Sequence, residues 1–287
     1  GVVNLDKPLG PSSHQVSAWM RDLVEVERAA HAGTLDPKVT GCLPVLCGDA
    51  TRLSSALLGR KGYVAVLELH GEPPSDLEAV LSEFVGPIYQ KPPRKSAVAR
   101  RLRVREVYDL EVADRADRQV LLRIACESGT YVRKLCHDVG LALGTGAHMG
   151  DLRRTATEPF DDSTLSTMYD VADALAAWRE DGDEDALFEV VSPGERAIEH
   201  LPRVTIARSA AEEVAHGAPV YAPGVIAVDD SAAEAADGST TAGGDGSADA
   251  PLVACYTPDG SAVCLGRLVG DPGADSGVVV DLERVLV

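Results

Sequence analysis

Apolar and polar positions along the first two-thirds of the chain fall into two rhythms. A strand rhythm opens at GVVNLD and returns at YVAVLELHG (63–71), VREVYDLEV (104–112) and QVLLRIACE (119–127), where side chains two apart share a face. The last two read as an antiparallel pair joined across a charged turn. A helical rhythm lies between them. Ser12-x-x-Gln15 makes a capping box, and Val16, Trp19, Met20, Leu23 and Val24 follow on one face that is predicted to be buried. Ser75-x-x-Glu78 predicts a second capped helix with Leu77, Val80, Leu81 and Phe84 inward. A third, from about Tyr131 to Leu143, buries Val132, Leu135, Cys136, Val139 and Leu143. Strands outnumber helical crossovers, which predicts an α+β unit on a mixed sheet rather than a doubly wound parallel one.

Near residue 200 the pattern shortens. HLPRVTI leads into a helix, SAAEEVAHG, stopped by Gly217. Four brief strand patterns follow, GVIAVDD, LVACYT, AVCLGRL and GVVVDL, with a Pro258-Asp259-Gly260 turn between the middle two. Short strands at close spacing predict a small β-barrel. The domains are therefore expected at 1–199 and 200–287. The acidic stretch 229–250 has no basic or aromatic residue. Such a stretch cannot bury enough apolar surface to offset chain entropy, so a disordered insertion is expected.

Composition changes the picture in membrane and export signals, in cysteine use and in charge. No run of about 18 apolar residues occurs, so no membrane span is expected. No basic stretch followed by an apolar one opens the chain, so a cytoplasmic protein without a secretory signal is expected. The sequence starts on Gly1 directly in a strand pattern, and the natural N-terminus is expected to have been trimmed or to lie outside it. The six cysteines (Cys42, Cys47, Cys126, Cys136, Cys255, Cys264) form no C-x-x-C pair and sit in or beside apolar runs. Buried free thiols are expected, with neither a metal site nor a disulfide scaffold.

The third is charge. Lys+Arg 27 against Asp+Glu 45 gives −18. Six lysines contribute (Lys7, Lys38, Lys61, Lys91, Lys95, Lys134), and Asp outnumbers Glu. A surface so acidic repels polyanions in dilute buffer, but at molar salt the screening length falls to about 3 Å. Scarce lysine with excess aspartate points to a halophile whose fold depends on salt. Net charge then says little about the ligand, and local charge decides.

KPPRKSAVARRLRVR (91–105) holds seven basic residues and no acidic one. Arg94, Lys95, Arg100, Arg101, Arg103 and Arg105 are candidate phosphate contacts, because the arginine fork matches phosphate oxygens. The alternative is a solvated hairpin. The other candidate is HAGTLDPKVTGCLP (31–44), a polar, glycine-rich segment read as a loop. On the residues alone, Asp36 is either a catalytic carboxylate or an Asx-turn residue before Pro37.

HAGTLDPKVTGCLP resembles the catalytic loop of the TruB-type pseudouridine synthases. The resemblance continues through NLDKPLGPSSH (4–14), KGYVAVLELHG (61–71), the thumb-like KPPRKSAVARRLR, GTYVRKL (129–135) and GAHMGDLRRT (146–155). Within that family the chain looks like the archaeal and eukaryotic dyskerin branch, the catalytic subunit of box H/ACA ribonucleoproteins. Its last 85 or so residues look like a PUA RNA-binding barrel. The family's extension ahead of GVVNLDKP is not in this sequence, and 229–250 is longer than the usual loop.

The resemblance implies a cofactor-free isomerisation of uridine. The N1–C1′ bond breaks, the uracil turns, and C5 joins C1′. Asp36 matches the catalytic aspartate, Tyr63 the tyrosine that stacks on the base, and Arg133 the arginine that pairs with the aspartate. His31, Tyr131 and Leu152 match residues around the nucleotide. Lys7 beside Pro8 reads as a support of the loop, and on the bland alternative Arg133 and Arg154 make structural ion pairs. The loop offers no second carboxylate, as a glycosidase would require. The implied partners are a guide RNA, a substrate RNA, and three small proteins: a zinc-ribbon protein, a β-barrel protein and a kink-turn-binding protein. Two other readings are carried: a stand-alone tRNA pseudouridine-55 synthase and a non-catalytic RNA scaffold.

Overall fold

The computed structural model describes residues 1–92, 99–229 and 250–287. Arg94, Lys95 and all but the ends of the 229–250 stretch lie outside the described residues. The chain divides into two compact units, Gly1–Ala197 and Ile198–Val287.

The first unit is built on a nine-stranded sheet. Strand β1 (Val2–Lys7) leads through helix α1 (Ser13–Leu23) to β2 (Ala29–His31) and β3 (Thr40–Cys47). Then come β4 (Lys61–Leu69), α2 (Leu77–Ser82), β5 (Gly86–Gln90), β6 (Arg103–Ala116) and β7 (Gln119–Cys126). Helix α3 (Val132–Ala142), β8 (Ala147–Thr157) and β9 (Phe160–Asp161) follow, and α4 (Met168–Asp181) and α5 (Glu184–Val190) come last. Neighbours run β1-β3-β8-β4-β7-β6-β5, with β2 against β3 and β9 against β8. Strands β3 and β8 pair in parallel and the other pairs are antiparallel, which is the mixed α+β sheet that the sequence pattern predicts.

Three expectations need correction. Segment 31–44 is not loop throughout, because its second half is the start of β3. Seven of that strand's eight residues are buried. Burying Leu43, Val45 and Leu46 at roughly 1.5–3 kcal/mol each outweighs the strand-weakening Gly41 and Pro44. Helix α2 begins after Asp76, with no side-chain cap, rather than after Ser75. Trp19 is 47% exposed, because the buried face of α1 is narrower: Ser13, Val16, Ser17 and Met20. The capping box itself forms, with Gln15 N–H donating to Ser12 Oγ at 3.2 Å and Ser12 N–H to Gln15 Oε1 at 2.9 Å. All six cysteines are buried free thiols.

Two apolar clusters flank the central strands. One gathers Leu67, Leu122, Leu135 and Val139, and the other gathers Leu5, Val16, Leu43 and Val171. Tyr63 and Leu152, both partly buried, pack against both clusters. They therefore stand at the seam of the unit.

The second unit holds β10 (Arg203–Ile206), α6 (Arg208–Ala215), β11 (Val220–Tyr221), β12 (Val225–Val228), β13 (Leu252–Tyr256), β14 (Ala262–Leu268) and β15 (Val278–Val285). Its six strands run β11-β15-β14-β13-β10-β12 and curl around a core of Val204, Ile206, Val253, Cys255, Cys264 and Val280. The Gly260 turn and the Gly217 stop both have positive φ, 91° and 93°. This is the small barrel-like domain that the short strand patterns predict.

Candidate active site

Asp36 sits on the segment between β2 and β3, and several backbone groups around it are held from elsewhere in the fold. The Ser13 hydroxyl, fully buried at the start of α1, donates to Leu35 O at 3.0 Å and accepts from Leu35 N–H at 2.8 Å. Gly10 N–H donates to Pro37 O at 2.9 Å, and Val39 N–H to Asp36 O at 2.9 Å. The ammonium of Lys7, wholly buried, donates to Val39 O at 2.8 Å and Pro8 O at 2.9 Å. Burial lowers its pKa, and the negative charge of Asp36 works the other way. Lys7 is the support of the loop that its place beside Pro8 suggests.

Arg154, 1% exposed on β8, grips the same segment from below. Its Nε donates to Cys42 O at 2.7 Å, and its Nη2 to Ala32 O at 3.2 Å and Gly33 O at 3.1 Å. These partners are carbonyls, not the carboxylate that the ion-pair alternative requires. Glycine at 41 is forced by the approach: φ is 98° and a Cβ there would come within 2.2 Å of Arg154 O. The sequence reading missed Ser13 and the loop-gripping role of Arg154, and neither carries a local signal, since the contacts span 22 residues for Ser13 and up to 122 for Arg154.

The result is an Asp36 side chain held at the surface, 55% exposed, in an ion pair between Oδ2 and Nη2 of Arg133. Arg133 is the second residue of α3. Tyr131 stands at the N-cap of that helix, half-buried, and its backbone is bound by the Gln90 side chain. Tyr63 lies on β4 between Arg154 of β8 and Ile124 of β7. Burial raises its phenol pKa and the Arg154 charge opposes that shift, so Arg154 lies against both Tyr63 and the Asp36 loop. Leu152 pairs with Ala65, two residues along from the Tyr63–Arg154 pair. The structure thus brings Asp36 and Arg133 into contact and joins Tyr63 to their loop through Arg154.

His31, at the end of β2, has its ring between the hydroxyls of Ser17 at 3.0 Å and Thr34 at 3.3 Å. Its pKa is pushed down to about 4 by burial first, then by His14 and Arg154. The folded protein therefore holds it neutral, while the unfolded chain takes up a proton below about pH 6.5. Its contribution is complete above that pH and is lost as pH falls toward about 4. Melting at fixed high salt should show a shallower acid limb for His31→Gln than for the parent. Parallel limbs would mean that His31 does not set this dependence.

The basic segment is only partly described. Arg100 and Arg101 are exposed, and Arg100 Nε donates to Pro92 O at 3.1 Å. Arg103 reaches Ala99 O at 3.3 Å. Arg105 is engaged in an ion pair with Glu127 at 2.9 Å and is only partly exposed. Among the described residues no group of three or more His, Cys, Asp or Glu could hold a metal ion, and no helix is long and apolar enough to cross a membrane.

Comparison with known proteins places this geometry. Residues 21–76 match the N-terminal domain of the TruB family of pseudouridylate synthases, and 133–199 match the tRNA pseudouridylate synthase B C-terminal domain. A relative named "Probable tRNA pseudouridine synthase B" from Halobacterium salinarum is 67% identical over 100% of this chain and 94% of its own length. One of the same name from Haloarcula marismortui is 60% identical over 100% of this chain and 88% of its own. Among solved structures, a Cbf5-Nop10-Gar1 complex matches with TM-score 0.89 and 44% identity, covering 100% of this chain and 85% of that one. An H/ACA ribonucleoprotein bound to a substrate RNA containing 2′-deoxyuridine matches with TM-score 0.85 and 42% identity, covering 100% and 85%. The match spans both units, so the second is the PUA-like domain expected. The loop that carries Asp36, the sheet beneath it and the full-length likeness to these relatives establish that the chain belongs to the TruB family of pseudouridine synthases.

Proposed function

We propose that this chain is the catalytic subunit of an RNA-guided pseudouridine synthase acting in the cytoplasm of a halophilic archaeon. The observation that carries the catalytic part is the Asp36–Arg133 pair on a loop whose backbone is fixed by Ser13, Lys7, Gly10 and Arg154. A carboxylate must meet the sugar–base junction as nucleophile or as a fixed negative charge. The guanidinium holds the Asp36 carboxylate aimed, and a preorganised loop spares the cost of arranging it during the reaction.

The remaining roles follow from position. Tyr63 stacks on the extruded uracil, and Leu152 and Tyr131 line its pocket, since an enzyme acting on a base must take it out of its stack. His31, neutral, contacts the nucleotide or its loop by hydrogen bonding. The reaction exchanges one C1′–N bond for one C1′–C bond. The C5 proton leaves and N1 regains one, so neither redox cofactor nor net water is consumed. The exposed Arg100 and Arg101, with Arg103, Arg94 and Lys95, grip RNA phosphates. Arg105 serves them from its ion pair with Glu127.

Guidance is supported by the full-length likeness to Cbf5 in H/ACA assemblies. On this reading the PUA-like unit holds the guide, and a zinc-ribbon protein, a β-barrel protein and a kink-turn-binding protein complete the particle. The name carried by the haloarchaeal relatives favours a second reading, stand-alone modification of tRNA. The two separate in one assay. With the full chain at high KCl, a substrate uridine should be converted when a complementary guide RNA and the partner proteins are present and not when the guide is omitted. Equal conversion of transfer RNA without guide would replace guidance by the second reading.

A further inference from the structure

Gln90 is the last residue of β5, immediately before the basic segment 91–105, and only 2% of it is exposed. Its amide bonds the backbone of Tyr131 in both directions. Oε1 accepts from Tyr131 N–H at 2.9 Å, and Nε2 donates to Tyr131 O at 3.2 Å. Tyr131 is the N-cap of α3, in an extended conformation (φ −92°, ψ 95°) and without a side-chain cap of its own. Its carbonyl also receives the first turn of the helix, from Lys134 N–H at 2.9 Å and Leu135 N–H at 3.0 Å. The Gln90 amide therefore fixes the peptide from which α3 starts. Two residues on stands Arg133, whose guanidinium meets Asp36.

A second tie reaches the same turn from the same hairpin. The Glu127 carboxylate accepts from Arg105 at 2.9 Å and from Glu106 N–H at 3.1 Å, and Glu127 N–H donates to Glu106 O at 2.8 Å. Thr130 Oγ1 closes the turn on Glu127 O at 2.7 Å. Residues 127–131 are thus pinned to β5 and β6, the two strands that carry the basic segment, with Gln90 paired to Arg103 at its root. A buried amide used in both directions is costly to leave unmade. It also has a direction of action, because it fixes a helix start and not merely a side chain.

We propose that Gln90 is a positioning residue: it sets the start of α3 so that Arg133 meets Asp36, and it ties the RNA-gripping segment mechanically to that pair. This rests on the roles given above to Asp36 and Arg133. Since a misplacement of about 1 Å can cost on the order of 100-fold in rate, Gln90→Leu, which fills the space without the hydrogen bonds, should lower the single-turnover rate on saturating RNA by roughly 10- to 100-fold. RNA affinity should change by less than about threefold, because the arginines are untouched. Gln90→Glu keeps the bond from Tyr131 N–H, loses the one to Tyr131 O, and should fall between.

The test is a double-mutant cycle in the full chain assembled with guide RNA and its protein partners, at matched high KCl, with melting curves for every variant. In an Arg133→Ala background, Gln90→Leu should change the rate by less than about twofold, because what it positions is already gone. A folded Gln90→Leu protein with the parental rate, or an equal loss in both backgrounds, would overturn the proposal. If the leucine variant does not fold, the glutamate variant carries the same cycle with the same criterion. Should Arg133→Ala alone leave the rate intact, the role of Arg133 fails instead, and that outcome is read from a different arm.

Discussion

Arg154→Met is expected to cost the fold about 3 kcal/mol and to take the ordered Asp36 loop with it. Three carbonyls, those of Ala32, Gly33 and Cys42, lose their donor at once. Each buried acceptor left unmade costs roughly 1–3 kcal/mol. Removing a buried charge returns part of that loss, because the guanidinium no longer has to be desolvated. The carbonyls win, since methionine offers them nothing and the bonds to Cys42 O and Ala32 O are buried. For a protein of this size the change should lower the melting temperature by roughly 10 °C. Arg154→Lys keeps the charge but cannot span acceptors on both Cys42 and Ala32–Gly33, so it should recover only a minor share. Thermal unfolding at fixed high KCl reads both. Wild-type stability in Arg154→Met would mean that the loop is held by Ser13 and Lys7 alone.

How much of this was legible in the sequence depends on how far each interaction reaches along the chain. The capping box of α1 joins residues three apart, and it forms as the sequence predicts. The face of α1 was harder to read. Hydrophobicity selects Trp19, whereas the structure buries Ser13 and Ser17, which bond to Leu35 and His31. Serines recruited as donors leave no apolar stripe. Strand β3 was hidden because Gly41 and Pro44 read as loop, although the parallel contact with Arg154 is what requires Gly41. Asp36, Tyr63 and Arg133 are proposed on motif resemblance, since neither composition nor spacing distinguishes Asp36 from a turn residue. Arg154 and Gln90 act across 112–122 and 41 residues, and no local pattern announces either. The motifs propose which residues carry chemistry. What they could not show was which ones hold them still.

The larger expected effect on activity belongs to Asp36→Asn. Asparagine has nearly the size of aspartate and still accepts a hydrogen bond, and the loop is fixed by Ser13, Lys7, Gly10 and Arg154 rather than by the Asp36 side chain. The fold and the loop should therefore survive. RNA affinity should persist too, because on the proposed reading binding is spread over the basic segment, the second unit and a stacking Tyr63. The substitution removes the negative charge opposite Arg133 and the nucleophilic oxygen, the two properties the bond exchange needs. Turnover should fall by more than about 10⁴-fold, the scale on which loss of a covalent nucleophile is felt.

The measurement that bears most directly on this is tritium release from RNA carrying 5-tritiated uridine, since C5 loses its hydrogen only if it becomes the atom bonded to C1′. It should be run on Asp36→Asn and the parent in the guided complex at the same high KCl, with binding and melting followed in parallel. RNA binding and melting should match the parent's, and release should fall to the level of a protein-free control. Release near the parental rate from a folded, RNA-bound Asp36→Asn protein would contradict the catalytic assignment and return Asp36 to the role of a turn residue before Pro37.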